Sequence, residues 1–350
     1  MVARKKSTYT SLLLLATLLL MSIVMALGIG AVTIPVVETV HILAQGIPGG
    51  SVLPFSSAVN IVPSHRDIII KLRLPRVLLA VLVGSSLSVA GATFQGLFKS
   101  PMADPHIIGV SAGAALGGAT ALSLGMRFRY FGFSAVPLFA FMGALLTVVL
   151  VYNLARVGER VPIMSLLLAG IAVSSILQAL ISLVTYFSDG ELQKIVFWMM
   201  GSLSGRGWDY LILALPYCLI SMAVIWIFAR DLNAFLLGEE PALHLGIEVE
   251  KVKAYLLWAA SMLTAAAVAT SGLIGFVGLI IPHMVRLLLG PDHRILVPAS
   301  ALTGGIFLLW VDILARTALP PLELPLGLLT SLVGGPFFIY LLRKRKDALY

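Results

Sequence analysis

The 350-residue chain is 59% hydrophobic and only 11% charged, with a mean hydropathy of +1.02. This excludes a wholly water-exposed globular domain, where about a quarter of residues are charged. The formal net charge of +8 comes chiefly from basic clusters at the two ends, Arg4-Lys5-Lys6 and Arg343-Lys344-Arg345-Lys346. With no soluble basic domain between them, nucleic acid is excluded as a partner, and the clusters suit membrane lipid with an anionic inner leaflet.

Apolar runs of about 20 residues recur from end to end, each long enough to cross a hydrocarbon core of about 30 Å. They are uniformly apolar rather than alternating with period two, so they predict helices and exclude a β-barrel. In chain order the predicted spans are 11–31, 76–98, 107–125, 132–154, 161–187, 209–229, 254–272, 274–289, 295–319 and 325–342. The fold class is therefore all-α, a polytopic membrane protein with about ten transmembrane helices in a single domain over 1–350. The first run follows basic residues as a signal peptide does. It is too long for one and lacks a small-x-small cleavage site, so it is expected to be retained as a span. The eighth is the weakest, being short and carrying Pro282, His283 and Arg286 near its end. Cys218, the sole cysteine, lies in the sixth run and permits no internal disulfide or cysteine metal site; packing is its expected role.

An even number of spans places both termini on one side. The basic clusters assign that side to the cytoplasm, and with them most of the Lys and Arg residues of the chain fall there. Three longer connections remain: an outer loop at about 32–75, an outer stretch at about 188–208, and a cytoplasmic loop at about 230–253. Gly84 and Gly91 fall seven apart, and Gly109, Gly113 and Gly117 four apart, spacings that let helices approach closely in lipid. A faint echo relates Ala90-Gly91, Gly96-Leu97 and Pro101 to Ser271-Gly272, Gly278-Leu279 and Pro282, with opposite orientation in this topology, as an inverted repeat requires.

The charges that break the membrane's preferences are the informative ones. Arg73 and Arg76 stand at the outer start of the second span, and Arg316 near the outer end of the ninth. One explanation is snorkelling anchors. Basic anchors favour the inner side, however, and a docking surface for an acidic soluble partner gives outer arginines another purpose. Asp312 lies four residues before Arg316 on the same helix face. It suits a structural ion pair and equally a proton-relay carboxylate, since a buried unpaired acid costs roughly 2.5–3.5 kcal/mol on insertion scales. The cytoplasmic loop from Asp231 to Gly246 predicts two short helical pieces broken at Gly238 and Gly246. It serves either as an amphipathic connector or as a surface lying against another protein.

No phosphate-cradling loop occurs; Phe98-Lys99-Ser100, the nearest, lacks the glycine. No zinc-protease motif or serine-hydrolase elbow occurs, and the six histidines are scattered. The chain is not expected to be an enzyme, nor to need a cofactor or metal. Uphill transport by it needs an ion gradient or a separate ATPase.

Three stretches resemble the FecCD-type permeases, the transmembrane subunits of type II ATP-binding cassette (ABC) importers for ferric siderophores, haem and cobalamin. The first runs from Leu72-Arg73-Leu74-Pro75-Arg76 through Gly84, Gly91 and Gln95-Gly96-Leu97 to Pro101-Met102-Ala103-Asp104-Pro105 and Ile108-Gly109-Val110-Ser111-Ala112-Gly113. The second is Gly275-Phe276-Val277-Gly278-Leu279-Ile280-Ile281-Pro282-His283 with Arg286 and Asp292-His293-Arg294. The third is Asp312 with Arg316, Glu323-Leu324-Pro325, Gly327 and Gly334-Gly335-Pro336-Phe337-Phe338. Order and spacing agree from about residue 66 onward.

The resemblance implies an inverted-repeat permease fold in a bacterial or archaeal cell (inner) membrane. It implies a homodimer enclosing the path, two ATP-binding subunits on the cytoplasmic side and an extracytoplasmic substrate-binding protein. By position, Arg73, Arg76 and Arg316 match arginines that receive glutamates of the binding protein. Leu236, Leu237, Gly238, Glu239, Glu240, Ala242, Leu245 and Gly246 match the coupling helices seated in the ATPases. Ser100 and Met102 match a cytoplasmic-side gate loop, where Ser100 departs from the more usual asparagine, and Ile163 and Met164 lie near a second constriction. The expected function is translocation of an iron chelate, haem or cobalamin. The alternatives are an ion-coupled secondary transporter using Asp312 and a membrane-anchored receptor or scaffold.

Overall fold

The computed structural model describes residues 2–30, 32–45, 62–126, 129–130, 133–188 and 190–346. Ala31, at the end of the first predicted span, and 46–61 of the predicted outer loop lie outside the described residues. Helix α1 covers Val2–Gly28 and α2 Val36–Gln45. Short α3 (Pro63–Asp67) passes through a wider turn at Ile68–Arg73 into α4 (Leu74–Leu97), one helical run of 35 residues. Next come α5 (Val110–Ser123), α6 (Ala135–Ala155), α7 (Ile163–Tyr186), α8 (Leu192–Met199) and α9 (Trp208–Ile227). The loop at about 230–253 folds as α10 (Ala229–Leu237) and α11 (Glu239–His244). The chain closes with α12 (Val249–Ser271), α13 (Val277–Leu289), α14 (His293–Thr317) and α15 (Leu326–Lys346).

Seven of these helical runs are long and apolar enough to cross a membrane, and stretches of α5, α13 and α15 form three shorter apolar helices. Each corresponds to one predicted span. The third span is shorter than its apolar run suggests, because the run begins with a different local structure. The Asp104 carboxylate accepts from the His106 N–H and caps a single tight turn at Pro105–Ile108, which Gly109 ends at φ +84°. Only 14 residues remain for α5, about 21 Å of helix. The short connection between α5 and α6 carries a minimal antiparallel ladder of Arg129–Tyr130 with Phe133–Ser134.

Helix α4 is the axis of the bundle. From Val77 to Leu97 nearly every residue is buried, as expected for a helix without a polar face, and α9, α12, α13 and α14 surround it. Lipid tails give no hydrophobic drive for helix association, so backbones must come close enough for direct packing. A Cβ on Gly84 would sit 2.2 Å from the Gly304 carbonyl oxygen of α14, and one on Gly91 would sit 1.7 Å from that of Gly278 on α13. Gly113 and Gly117 meet the α6 backbone in the same way, at Gly143 and Phe139. The glycine rows are thus helix-contact surfaces. By contrast, α7 leaves most of its length uncovered, including Ile171, Ile176 and Leu183.

Candidate functional site

At one end of the bundle, five charged side chains gather where α1, α4 and α14 meet. Helix α1 ends with carbonyls that have no partner in their own helix. Arg73 Nη1 donates to the Leu27 oxygen at 2.7 Å and to Gly28 at 3.2 Å, and its Nη2 donates to the Val32 oxygen. Arg316 Nη2 donates to the Ala26 oxygen at 2.7 Å. Two guanidinium groups therefore cap the negative end of α1, where cations are favoured. Asp312 is fully buried. Its Oδ1 accepts from Arg76 at 2.9 Å, while Oδ2 stands 3.5 Å from Arg316 Nε. Arg76 also grips Glu323 with two parallel bonds, at 2.9 and 3.0 Å. Glu323 lies in the connection after α14. Burial alone would raise its carboxyl, but the bonds and charge of Arg76 hold it below the usual range.

The motifs of the first and second stretches touch each other deep in the bundle. Gln95 Nε2 donates to the carbonyls of Gly278 at 3.4 Å and Leu279 at 3.1 Å. His106 Nε2 lies 3.3 Å from the Ile274 oxygen and its Nδ1 against the Ser111 hydroxyl. Gly334 of the third stretch packs on Phe276.

At the opposite end, α10 is fixed to the bundle by Leu232 and Phe235, both buried, and by Asn233. The Asn233 Oδ1 accepts from the His293 N–H at 2.8 Å and lies 2.9 Å from its Nδ1, while Nδ2 donates to Asp292 at 2.7 Å. Bonds from Arg294, with help from Asn233, lower the Asp292 carboxyl to about 2. Gly238, at φ +133°, separates α10 from α11, a backbone state open to glycine and strained for other residues. Beyond it Ala242 is buried, whereas Leu237, Leu243 and Leu245 are 72%, 55% and 65% exposed.

Ser100 and Met102 form the turn after α4, closed by the Met102 N–H donating to Ser100 Oγ at 3.3 Å. Ile163 and Met164 open α7, Ile163 lining a small apolar cavity with Leu97 and Phe98 and Met164 largely exposed. On the uncovered side of α7, Ser174, Ser175, Gln178 and Ser182 join His106 and Ile107 in lining an open groove.

The family model of the FecCD transport family matches residues 18–344. The chain belongs to the FecCD transport family. It is 42% identical over 326 residues to the cobalamin import system permease of Halobacterium salinarum, covering 92% of this chain and 86% of that one. It is 43% identical over 291 residues to the hemin transport system permease of Yersinia pestis, covering 79% and 84%. A solved inward-facing metal-chelate type ABC transporter matches with a TM-score of 0.81 and 33% identity, covering 95% of this chain and 98% of that one. The protein is a transmembrane permease of the ABC importer class.

The structure brings Arg73, Arg76 and Arg316 together at one end of the bundle and turns them inward. Arg73 is 8% exposed, and neither it nor Arg316 projects as a free arm. The polar targets of Arg73 and Arg316 are helix carbonyls and a buried acid. Asp312 has both partners that the sequence left open, Arg316 on its own helix and Arg76 across the interface. The loop after α9 folds as two pieces with its breaks at the expected glycines, Gly238 and Gly246. Sequence reasoning missed the polar stripe of α7, although Ser175, Gln178 and Ser182 recur at helical spacing inside an apolar run. It also passed over Asn233, which nothing but its tertiary partners distinguishes.

Proposed function

We propose that this permease pairs with a second copy to carry a metal chelate, haem or cobalamin into the cell, powered by two ATP-binding subunits. Its likeness to permeases of cobalamin and haem importers, over 92% and 79% of the chain, carries the reading. Asp312, the acid a secondary transporter would use, is instead buried in ion pairs with Arg76 and Arg316, which gives it a structural role. Both termini lie in the cytoplasm of a bacterial or archaeal cell membrane. The uncovered side of α7 faces the path, where serine hydroxyls and Gln178 offer weak hydrogen bonds to a passing solute.

In this reading α10 and α11 seat on the ATPases through Leu236, Leu237, Leu243 and Leu245, with Gly238 and Gly246 shaping the contact and Glu239 and Glu240 at its edge. Ser100 and Met102, with Ile163 and Met164, narrow the cytoplasmic exit. An extracytoplasmic binding protein docks over the outer cluster. Arg73, Arg76 and Arg316 outnumber Asp312 and Glu323 there by one charge, and because they are held rigidly they offer acidic groups a fixed positive platform.

The deciding experiment reconstitutes the permease with its ATPase and binding protein in proteoliposomes and follows cobalamin, haemin and ferric citrate. Uptake that requires ATP hydrolysis is expected. Uptake by the permease alone, abolished by an ionophore, would reverse the conclusion in favour of a secondary transporter.

A further inference from the structure

Helix α7 is held by few neighbours, so whatever grips its cytoplasmic end sets its position. That grip is the first turn of α12. Val161, two residues before α7, donates its N–H to Glu250 Oε2 at 3.0 Å, and its carbonyl accepts from Lys253 Nζ at 3.3 Å. The next residue, Pro162, has no N–H to offer, so Val161 supplies the polar attachment of this segment. Lys253 Nζ also lies 2.9 Å from Glu250 Oε1 and 3.0 Å from Glu239 Oε1. The Lys253 side chain is 12% exposed, and its three donors meet three acceptors on three different parts of the chain.

One ammonium thus joins α11, α12 and the start of α7. The neighbouring elements differ in freedom. Asn233 pins α10 to the N-terminus of α14, so Gly238 is the joint beyond which α11 can swing. On the receiving side, the cavity lined by Leu97, Phe98, Tyr152, Ile163 and Leu166 reaches Glu250 and Lys253. It gives the first turn of α7 room to shift without overpacking.

We propose that Lys253, braced by Glu250, is the linkage through which movement of α11 repositions the cytoplasmic end of α7. It rests on the reading of α10 and α11 as the ATPase contact. Lys253 is a positioning residue, since it touches neither nucleotide nor solute.

The test uses the complex of permease and ATPase in lipid nanodiscs, with Met164→Cys as reporter and Cys218→Ser to remove the native thiol. The rate of maleimide modification at position 164 is compared with and without ATP and vanadate. Lys253→Met is expected to cut the nucleotide-dependent change in that rate roughly fivefold, with the ATPase still copurifying, while Lys253→Arg keeps the change. A full nucleotide response in Lys253→Met overturns the linkage. Should that variant not assemble, Glu250→Gln is expected to lose the response too, and its retaining a full one overturns the linkage equally. Copurification of the ATPase with Leu237→Asp or Leu243→Asp permease would instead overturn the coupling-loop reading and, with it, the linkage.

Discussion

The Arg76 guanidinium lies 2.9 Å from the Asp312 carboxylate, joining the outer ends of α4 and α14 across 236 residues of sequence. The same two helices touch again at Gly84 and Gly304. The ion pair therefore closes one end of a contact that glycine packing holds in the middle. Asp312 has no exposure and Arg76 little, so neither can exchange its partner for water.

Removing one partner of a buried pair strands the other, which typically costs about 3–5 kcal/mol. Arg76→Ala should therefore lower the melting temperature of the detergent-solubilised permease markedly. Arg76→Ala with Asp312→Ala should recover part of the loss, because the fully buried Asp312 carboxylate is no longer stranded. A double variant no more stable than the single one would count against this account.

Arg73 should act as a cap rather than as a free docking arm. Replacing it with alanine takes the donor from the Leu27 carbonyl, while Gly28 keeps the Ile34 N–H, at about 1–3 kcal/mol for a buried polar group left unpaired. Hydrogen exchange at residues 24–30 should accelerate. Lysine should restore little, since one ammonium cannot reproduce the guanidinium fork. Unchanged exchange in Arg73→Ala would show that α1 is held by its apolar contacts alone.

Helix approach gives a paired test on two glycines. Gly91→Ala forces a methyl to within 1.7 Å of a backbone oxygen, where α4 and α13 must separate; overpacking of this kind costs typically 1–3 kcal/mol or more. Gly335→Ala, with nothing within 4 Å of its Cβ, should be neutral or slightly stabilising in helical α15. Melting temperatures of the two variants, measured side by side, check the contrast.

The Asp292 contact should depend on pH in a defined sense. Its carboxyl ordinarily titrates at 3.8 and in the fold at about 2, chiefly through the Arg294 hydrogen bonds. A depressed acid stabilises the fold fully above its unfolded value and loses that contribution as pH falls through the folded one. The stability difference between the parent and Asp292→Asn should stay constant above pH ~4 and shrink between ~4 and ~2. A difference that instead grows on acidification would assign the effect to another group.

The ten apolar helices and the breaks at Gly238 and Gly246 were legible from sequence because they follow from local rules. Span length answers to bilayer thickness, and a helix breaker acts within its own turn. The motif positions carried the family in the same way. Helix ends were less legible: apolarity continues through Ile107-Ile108-Gly109, while the tight turn there depends on the Asp104 cap and the left-handed glycine.

What charged side chains do was decided only by tertiary structure. Arg73 and Arg316 read as outward-facing arginines until the end of α1, more than 40 residues away from the first and 290 from the second, is brought beside them. Lys253 and Asn233 carry no sequence signature at all, and their meaning lies in the segments they join. In a bilayer a buried charge must find a partner wherever the fold supplies one. The chain sets which helices form, and the meeting of distant helices sets which polar groups are satisfied.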